Sequence, residues 1–245
     1  MSTIFILSFQ GPQGELTFPM RGVGFYWFEI LFQGQTKIGN LGTSFMRSLM
    51  LGLVVMLLTF AISVMAGLAF RRKFYGSQII FYLTIASIIV PSILVSFGIG
   101  VAFNLLGLQT DLFSSALGAQ LTWTIPFAFL IVIGVFNRFN PSYEEAARDL
   151  GANDFNTFWQ IVFPIIGASL VGVALFGFVL SYDEYARTSL VVGENNTLPL
   201  EIFGMTTLDV SPVVYALGTF TTAFSFTIIA IALAAFQFLS RRQQQ

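Results

Sequence analysis

The sequence predicts an all-α integral membrane protein, and three observations lead to this fold class. Of the 245 residues, 56% are hydrophobic and 9% are charged, whereas an ordinary soluble domain carries about 25% charged residues. The mean hydropathy is +0.81. The apolar residues are gathered into runs of the length that a helix needs to cross a hydrocarbon core about 30 Å thick, roughly 20 residues.

Five apolar runs, each bounded by polar or charged residues, are long enough to span a membrane. Their approximate limits are Ser48 to Phe70, Ser77 to Leu108, Phe113 to Phe136, Ile161 to Tyr182 and Tyr215 to Leu239. The second run is too long for one straight helix. Because Pro91 removes a helix hydrogen bond near its middle, we expect a kink or a break there. Pro126 and Pro164 are expected to act similarly.

The distribution of Lys and Arg predicts which ends of the spans face the cytoplasm. If the five spans alternate, one side carries Arg71, Arg72, Lys73, Arg138, Arg148, Arg241 and Arg242. The other side carries only Arg21, Lys37, Arg47 and Arg187. The richer side is therefore predicted to be cytoplasmic. The outer side then holds eight acidic residues, which are Glu15, Glu29, Asp111, Asp183, Glu184, Glu194, Glu201 and Asp209.

Residues 1–46 precede the first complete span. Residues 4–9, "IFILSF", are too short to cross a membrane and lack the basic start and cleavage site of a signal peptide, so we expect the last turns of a helix. The Gly-rich and aromatic segment 10–46 predicts an outer loop with a short interfacial helix. The spans occupy residues 47–240, and residues 241–245 are expected to be a cytoplasmic tail.

The composition also excludes most catalytic chemistry. The chain has no Cys and no His, which removes disulfides, thiol nucleophiles, the usual zinc sites and imidazole acid–base catalysis. The predicted spans hold almost no ionisable residue, and no GxxxxGK[ST] phosphate loop occurs in the sequence. We therefore predict no catalytic residue, no metal site and no cofactor on this chain, and an intramembrane enzyme is disfavoured.

A polar stretch, "EEAARDLGANDFNTFWQIVFP", lies in the predicted cytoplasmic loop 137–164 between the third and fourth spans. Ser142 and Glu145 have the spacing of a capping box, and Gly151 is placed where a helix ends in a left-handed residue. Asn153 or Asp154 then caps a second helix that leads back towards the membrane. The loop is predicted to be two short helices.

The apolar residues of this loop are open to two interpretations. Phe155, Phe158 and Trp159 lie beside the predicted cytoplasmic helix, and exposed aromatic residues in such a position are typical of a surface that another protein covers. Alternatively, the loop is an amphipathic elbow that lies on the lipid surface. On these residues alone the two interpretations are equally favoured.

The spacing within the loop resembles the EAA signature of permease subunits of ATP-binding cassette importers. "EAARDLG" is followed by nine residues and "IVFP", so that Glu145, Ala146, Ala147, Gly151, Ile161 and Pro164 match the signature. Phe163 departs from it, because the family usually has Leu there. The resemblance covers about Phe45 to Leu239 and is closest to the spermidine/putrescine type, which similarly carries a Ser-x-Asp-Glu/Asp stretch, here Ser181 to Glu184, and a motif like "LPLEIFGM".

The resemblance implies a type I importer fold in a bacterial inner membrane, as a multi-pass protein. The six signature residues would then form or support a coupling helix that seats in a cleft of a cytoplasmic ATPase dimer. ATP and Mg would be bound by that partner and not by this chain. Further implied partners are a second permease subunit, usually a different protein in the polyamine type, and a periplasmic or lipid-tethered solute-binding protein. No nucleic acid is expected.

The resemblance also implies six spans, of which this sequence contains five in full. Residues 4–9 align with the end of the first span. Either the true start lies upstream, or the protein works with five spans and an outer N-terminus. We expect the first explanation.

The predicted cargo is a small cationic solute, and a polyamine such as putrescine or spermidine fits best. The acidic outer side would concentrate cations, and the expected route residues are Trp123, Tyr182, Asp183, Glu184 and Tyr185, which offer carboxylates and cation–π faces. Acidic residues outside also follow from the positive-inside bias, and Asp183 alternatively pairs with Arg187 or caps the loop. Relatives of this type carry phosphonates, ferric iron, opines and amino-acid-like solutes. A passive channel would not need the spaced loop.

Overall fold

The computed structural model describes residues 2–13, 19–33, 41–208 and 212–242, and the regular elements within these ranges are helices. They are α1 Ser2–Ser8, α2 Tyr26–Gln33, α3 Leu41–Phe70, α4 Ser77–Ile89, α5 Ser92–Leu105, α6 Leu117–Arg138, α7 Ser142–Asp149, α8 Asp154–Thr157, α9 Phe163–Tyr182, α10 Leu198–Leu208 and α11 Val213–Arg242. Two π-helical turns precede α6 and α9, at Leu112–Ala116 and Phe158–Val162. The predicted all-α class is confirmed.

Three described helices are long and apolar enough to cross a membrane, namely Leu41–Phe70, Leu112–Arg138 and Asp154–Tyr182. A fourth candidate is the pair α4 and α5, which is bent by 104°. The bend lies at Pro91, as predicted. The predicted fifth span lies in α11, of which the apolar part Val213–Thr227 is described in detail.

The other two prolines do not break their helices. Of the predicted kink or break at Pro126, the break is absent, because Pro126 lies inside the uninterrupted α6. Pro164 lies in the first turn of α9, directly after the π-helical turn Phe158–Val162. A local change of hydrogen-bonding pattern of this kind accommodates the carbonyl that a proline leaves without its usual N–H donor.

The chain divides into two compact units, of which Ser48–Asn195 contains the predicted coupling loop. Its core is a cluster on α3, α6, α9 and the residues directly after α6 and before α9. The cluster comprises Val64, Ala128, Val132, Phe136, Phe139, Val162, Ile166, Leu170 and Val173. Gly67 lets α3 approach α6 closely, because a Cβ at Gly67 would lie 2.4 Å from Val132 Cγ1. The Thr59 and Thr124 hydroxyls are hydrogen-bonded to each other at 2.9 Å in the same interior. Small residues and hydroxyls at helix contacts are typical of membrane proteins.

The other unit comprises Met1–Arg47 and Asn196–Gln245. The expected helix at residues 4–9 is present as α1, and the expected short helix of segment 10–46 is α2. Phe9 packs edge-on against Phe25 between these elements, with ring centroids 5.5 Å apart. Three residues to which a side of the membrane was assigned, Glu15, Lys37 and Asp209, lie outside the described residues.

Candidate functional site

The first helix of the loop, α7, ends where the sequence predicts. Gly151 has φ +86°, the left-handed conformation that Gly adopts at little cost. The Gly151 N–H donates to the Arg148 carbonyl at 2.9 Å, and the Ala152 N–H donates to the Ala147 carbonyl at 3.0 Å. These two bonds form a complete Schellman motif, which satisfies carbonyls that the end of a helix leaves open.

The start of α7 differs from the prediction. Ser142 is its first helical residue and makes no side-chain capping bond at this helix end. Asn140 supplies the cap instead, because its Oδ1 accepts from the Ser142 N–H at 3.1 Å. The predicted capping box between Ser142 and Glu145 is therefore wrong. Asn140, two residues before Ser142, thus accepts from the N–H group that the predicted box assigned to the Glu145 side chain. The Glu145 side chain is not needed for capping.

The side chains of α7 divide into a buried and an exposed set. Ala147 is the buried residue of the helix, whereas Glu145 and Ala146 are exposed. The surface of the loop also exposes large apolar residues, with Leu150 at 89% and Phe155 at 71%. Such residues next to the exposed Glu145 give the loop a mixed apolar and acidic surface of the kind that partners cover.

The second helix of the loop continues into the membrane span. The Asn153 side chain caps it by accepting from the Asn156 N–H at 2.8 Å, as one of the two predicted caps. From Asp154 to Tyr182 the chain remains helical through α8, the π-helical turn and α9. Ile161 is half-buried in the π-helical turn, and Pro164 is exposed at the start of α9. Both residues therefore lie in the stem that joins the loop to the span, not on α7.

An ion pair joins α7 to the end of α3. The Arg71 Nη1 and Nη2 atoms donate to the two Glu144 carboxylate oxygens at 2.6 and 2.8 Å. The Arg71 guanidinium carbon also lies 5.2 Å from the Phe136 ring centroid and 5.6 Å from that of Phe139. Glu144 precedes the signature, and nothing in the sequence indicated which of the basic residues would contact it.

A cavity of about 490 Å³ adjoins this pair. It is lined by Leu68, Ala69, Arg71, Arg72, Glu144, Arg148, Asp154, Thr157 and Phe158. Asp154 is shared by two guanidinium groups, with Arg148 at 3.3 Å and Arg72 at 3.8 Å. Three of the basic residues that predicted the cytoplasmic side thus meet two acidic residues of the loop, Glu144 and Asp154, at this cavity.

A second polar cluster surrounds Gln120 at the N-terminal half of α6. The Gln120 Nε2 donates to Thr188 Oγ1 at 3.0 Å, and the Ser181 hydroxyl donates to Gln120 Oε1. The segment after α9 is also bound by the Ser115 hydroxyl, which donates to the Val191 carbonyl at 2.7 Å. Gln120 and Thr188 are fully buried, so these bonds connect the segment after α9 to α6 and to the π-helical turn before it within the protein interior.

Trp123 of α6 contacts a cation of the chain itself. The Arg187 guanidinium carbon lies 5.5 Å from the Trp123 ring centroid, and Arg187 Nη1 donates to Thr122 Oγ1 at 2.6 Å. Arg187 is 1% exposed, and no ion pair within the described ranges includes it. The alternative role for Asp183, an ion pair with Arg187, is therefore contradicted.

The predicted acidic pair separates into an exposed and a buried residue. Asp183 is exposed at the end of α9, whereas Glu184 is 7% exposed and accepts from the Arg187 backbone N–H at 2.7 Å. Burial raises the pKa of the Glu184 carboxyl, an effect that this hydrogen bond only partly offsets. Tyr182 stacks on Phe178 with centroids 5.7 Å apart, and Tyr185 is half-buried. The structure thus brings the five predicted route residues to one region, at α6 and the end of α9.

Comparisons with known proteins give one family and several relatives. The family model described as "Binding-protein-dependent transport system inner membrane component" matches residues 60–245. The chain is similar to the spermidine/putrescine transport system permease protein PotC of Escherichia coli K12, with 31% identity over 168 residues. That alignment covers 68% of this chain and 63% of the relative's length.

Two Haemophilus influenzae proteins are also similar. Its spermidine/putrescine transport system permease protein PotC is 26% identical over 214 residues, which cover 86% of this chain and 81% of the relative. The putative ferric transport system permease protein FbpB 1 is 26% identical over 165 residues, which cover 58% of this chain and 26% of the relative.

Proposed function

Because this chain belongs to the family of binding-protein-dependent transport system inner membrane components, we propose that it is the membrane-spanning permease subunit of an ATP-driven importer. As a family member it is a multi-pass inner-membrane protein and a transport component rather than an enzyme. The observation that carries the proposal is the loop formed by α7 and α8, whose exposed acidic and apolar residues lie on a compact, well-capped helix pair.

In this proposal the loop is the coupling element. Glu145 and Ala146 are exposed on α7 and would contact a cytoplasmic ATPase subunit, while Gly151 sets the direction in which α7 ends. ATP and Mg would be bound by the ATPase dimer. Its closure would push on the loop and move the spans between outward-open and inward-open states, a rigid-body change of the kind that alternating access uses. A second permease subunit and a solute-binding protein would complete the importer.

The cargo that we propose is a small organic cation, with a polyamine as the first candidate. The E. coli and H. influenzae relatives named as spermidine/putrescine permeases support this class. The exposed carboxylate of Asp183 lies at the end of α9, directly after Tyr182. A carboxylate beside an aromatic residue is a suitable combination for an ammonium group.

A second candidate is a solute that carries a carboxylate, such as an opine or an amino-acid-like compound. Two buried donors in the described part of this region, Arg187 Nε and Trp123 Nε1, have no hydrogen-bond acceptor. An unmade hydrogen bond in the interior costs roughly 1–3 kcal/mol, and an acceptor oxygen on the cargo would relieve that cost.

Uptake experiments separate these cargo classes. Cells that lack the gene and cells in which it is restored on a plasmid would be compared for uptake of labelled putrescine, spermidine and octopine. The polyamine proposal predicts restored, ATP-dependent uptake of a polyamine that excess octopine does not reduce. Restored uptake of octopine alone would support the second candidate. If none of the three solutes depended on the gene, both cargo proposals would be rejected.

A further inference from the structure

The contact between α7 and the cytoplasmic end of α3 depends on very few side chains. Ala147 is the buried residue of α7, and a cavity of about 490 Å³ occupies the space beside the pair Arg71 and Glu144. Helices α3, α6 and α9 contact one another through a continuous apolar core. The contact between α7 and the end of α3 instead consists of an ion pair next to a cavity.

This ion pair has the geometry of a strong interaction. Arg71 Nη1 donates to Glu144 Oε1 at 2.6 Å and Arg71 Nη2 donates to Glu144 Oε2 at 2.8 Å, and such paired, charge-assisted bonds fix direction as well as distance. The Glu144 side chain is 12% exposed, and that of Arg71 is 24% exposed. The pair is therefore less accessible to water and salt than an ordinary surface ion pair.

The Arg71 guanidinium also makes cation–π contacts with two aromatic rings. Its guanidinium carbon lies 5.2 Å from the centroid of Phe136 and 5.6 Å from that of Phe139. Both rings belong to the core cluster that includes residues of α3, α6 and α9. Arg71 thus connects the carboxylate of α7 with the packed interior of the spans.

The neighbouring ion pairs provide a comparison within the same loop. Arg72 lies 3.8 Å from Asp154, and both side chains are largely exposed. An exposed ion pair with this separation typically contributes only about 0–1 kcal/mol to the stability of the fold. Among the ion pairs of the described residues, the pair of Arg71 and Glu144 is the one with two short hydrogen bonds and with both side chains less than a quarter exposed.

We infer that Arg71 is a positioning residue for coupling, which ties α7 through Glu144 to the ends of α3 and α6. Displacement of α7 by the partner ATPase then moves these span ends directly, in addition to α9, which continues from the loop as one helix. The inference rests on the proposed function, since it assigns a route by which the motion of the ATPase reaches the spans.

A double-mutant cycle tests the inference on the complete complex with the second permease and the ATPase. Arg71→Gln, Glu144→Gln and the double variant would be compared for ATP hydrolysis stimulated by the binding protein loaded with spermidine, relative to basal hydrolysis. Each single change is expected to lower the stimulation roughly fivefold, in the middle of the range for residues that modulate coupling. The double variant is expected to be no worse than either single one, because it leaves no unpaired charge.

Arg72→Gln is the matched control, since it removes the same charge from the adjacent residue and is expected to retain full stimulation. A second readout, co-purification of the ATPase with the permease, needs no cargo and is expected to weaken in the single variants and to be no weaker in the double one. Stimulation and co-purification equal to those of Arg72→Gln would overturn the inference, as would losses that multiply in the double variant.

Failure of the proposed function is distinguishable from failure of this inference. If the unmodified chain binds the ATPase but spermidine gives no stimulation, the cargo is wrong and the co-purification cycle still decides on Arg71. If the unmodified chain binds no ATPase, the permease role is rejected and the inference falls with it.

Discussion

The Arg187 guanidinium lies 5.5 Å from the centroid of the Trp123 ring and donates to Thr122 at 2.6 Å. The aromatic face that the sequence offered to a cationic cargo is therefore occupied by a cation of the chain. A cargo ammonium group would have to displace this guanidinium or use the other predicted aromatic residues, Tyr182 and Tyr185.

Arg187→Met is expected to improve the binding of a cationic cargo. The change removes a like charge from the region and frees the Trp123 face, and one cation–π contact corresponds to roughly a two- to fivefold change in affinity. The KM for polyamine uptake should fall by this factor. Arg21→Met, which removes an exposed charge on the predicted outer side, should leave KM unchanged, and a rise in KM for Arg187→Met would instead favour a cargo with a carboxylate.

Gly151→Ala is expected to impair coupling without a steric clash. A Cβ at Gly151 would meet no atom within 4 Å, but the residue has φ +86°, and an L-residue in this conformation costs roughly 1–2 kcal/mol. Stimulated ATP hydrolysis should therefore fall, and Gly151→Asn should be milder because Asn tolerates this conformation better. Gly134→Ala, in open space within α6, is the matched control, and equal activity of the two Ala variants would contradict the role of the turn.

Gly67→Ala is expected to destabilise the helix core. The new Cβ would lie 2.4 Å from Val132 Cγ1, and overpacking of this kind costs roughly 1–3 kcal/mol. The unfolding temperature in detergent should fall, whereas Gly172→Ala, which meets nothing within 4 Å in α9, should not lower it. Because Ala favours a helix more than Gly does, an unfolding temperature lowered equally in both variants would contradict a packing effect specific to Gly67.

The raised pKa of Glu184 predicts a pH-dependent stability. Burial raises this pKa, the Arg187 N–H and charge lower it in part, and Asp183 adds to the rise. The folded protein therefore holds this proton to a higher pH than the unfolded chain does. The protonated Glu184 carboxyl therefore contributes fully to stability below its pKa in the unfolded chain. This contribution is lost as the pH rises through its raised pKa in the folded protein.

When the unfolding temperature of the unmodified protein is measured at increasing pH, starting from acidic pH, it should fall as this contribution is lost. Glu184→Gln keeps an oxygen that accepts from the Arg187 N–H but does not titrate, so the loss should be absent from its profile. Identical pH profiles of the two proteins would contradict the buried environment of Glu184.

Features set by local chemistry were predictable from the sequence. The bend at Pro91, the helix end at Gly151 and the cap at Asn153 each depend on the conformational limits of one residue and its neighbours. The capping box at Ser142 was predicted wrongly, because Asn140 competes for the same N–H group. The spacing alone does not reveal whether Asn140 or Glu145 accepts the hydrogen bond from the Ser142 N–H.

Features set by contacts distant in sequence were not predictable. The pairing of Arg71 with Glu144 spans 73 residues, and that of Arg187 with Thr122 spans 65. The sequence supplied the charges and their predicted side of the membrane, but the choice of partner depends on how α3, α6 and α9 pack. For the same reason, the sequence did not indicate that Arg187 occupies the aromatic face of Trp123.

Photo-crosslinking from α7 tests the central claim, that this loop seats on an ATPase, most directly. Because the sequence contains no Cys, Ala146→Cys gives one attachment site for a photoreactive maleimide on the exposed side of α7. Leu108→Cys, exposed at the predicted outer side, is the matched control. The account predicts a covalent product with the co-expressed ATPase subunit from Ala146→Cys and none from Leu108→Cys. No product from either position, in membranes that contain both proteins, would contradict it.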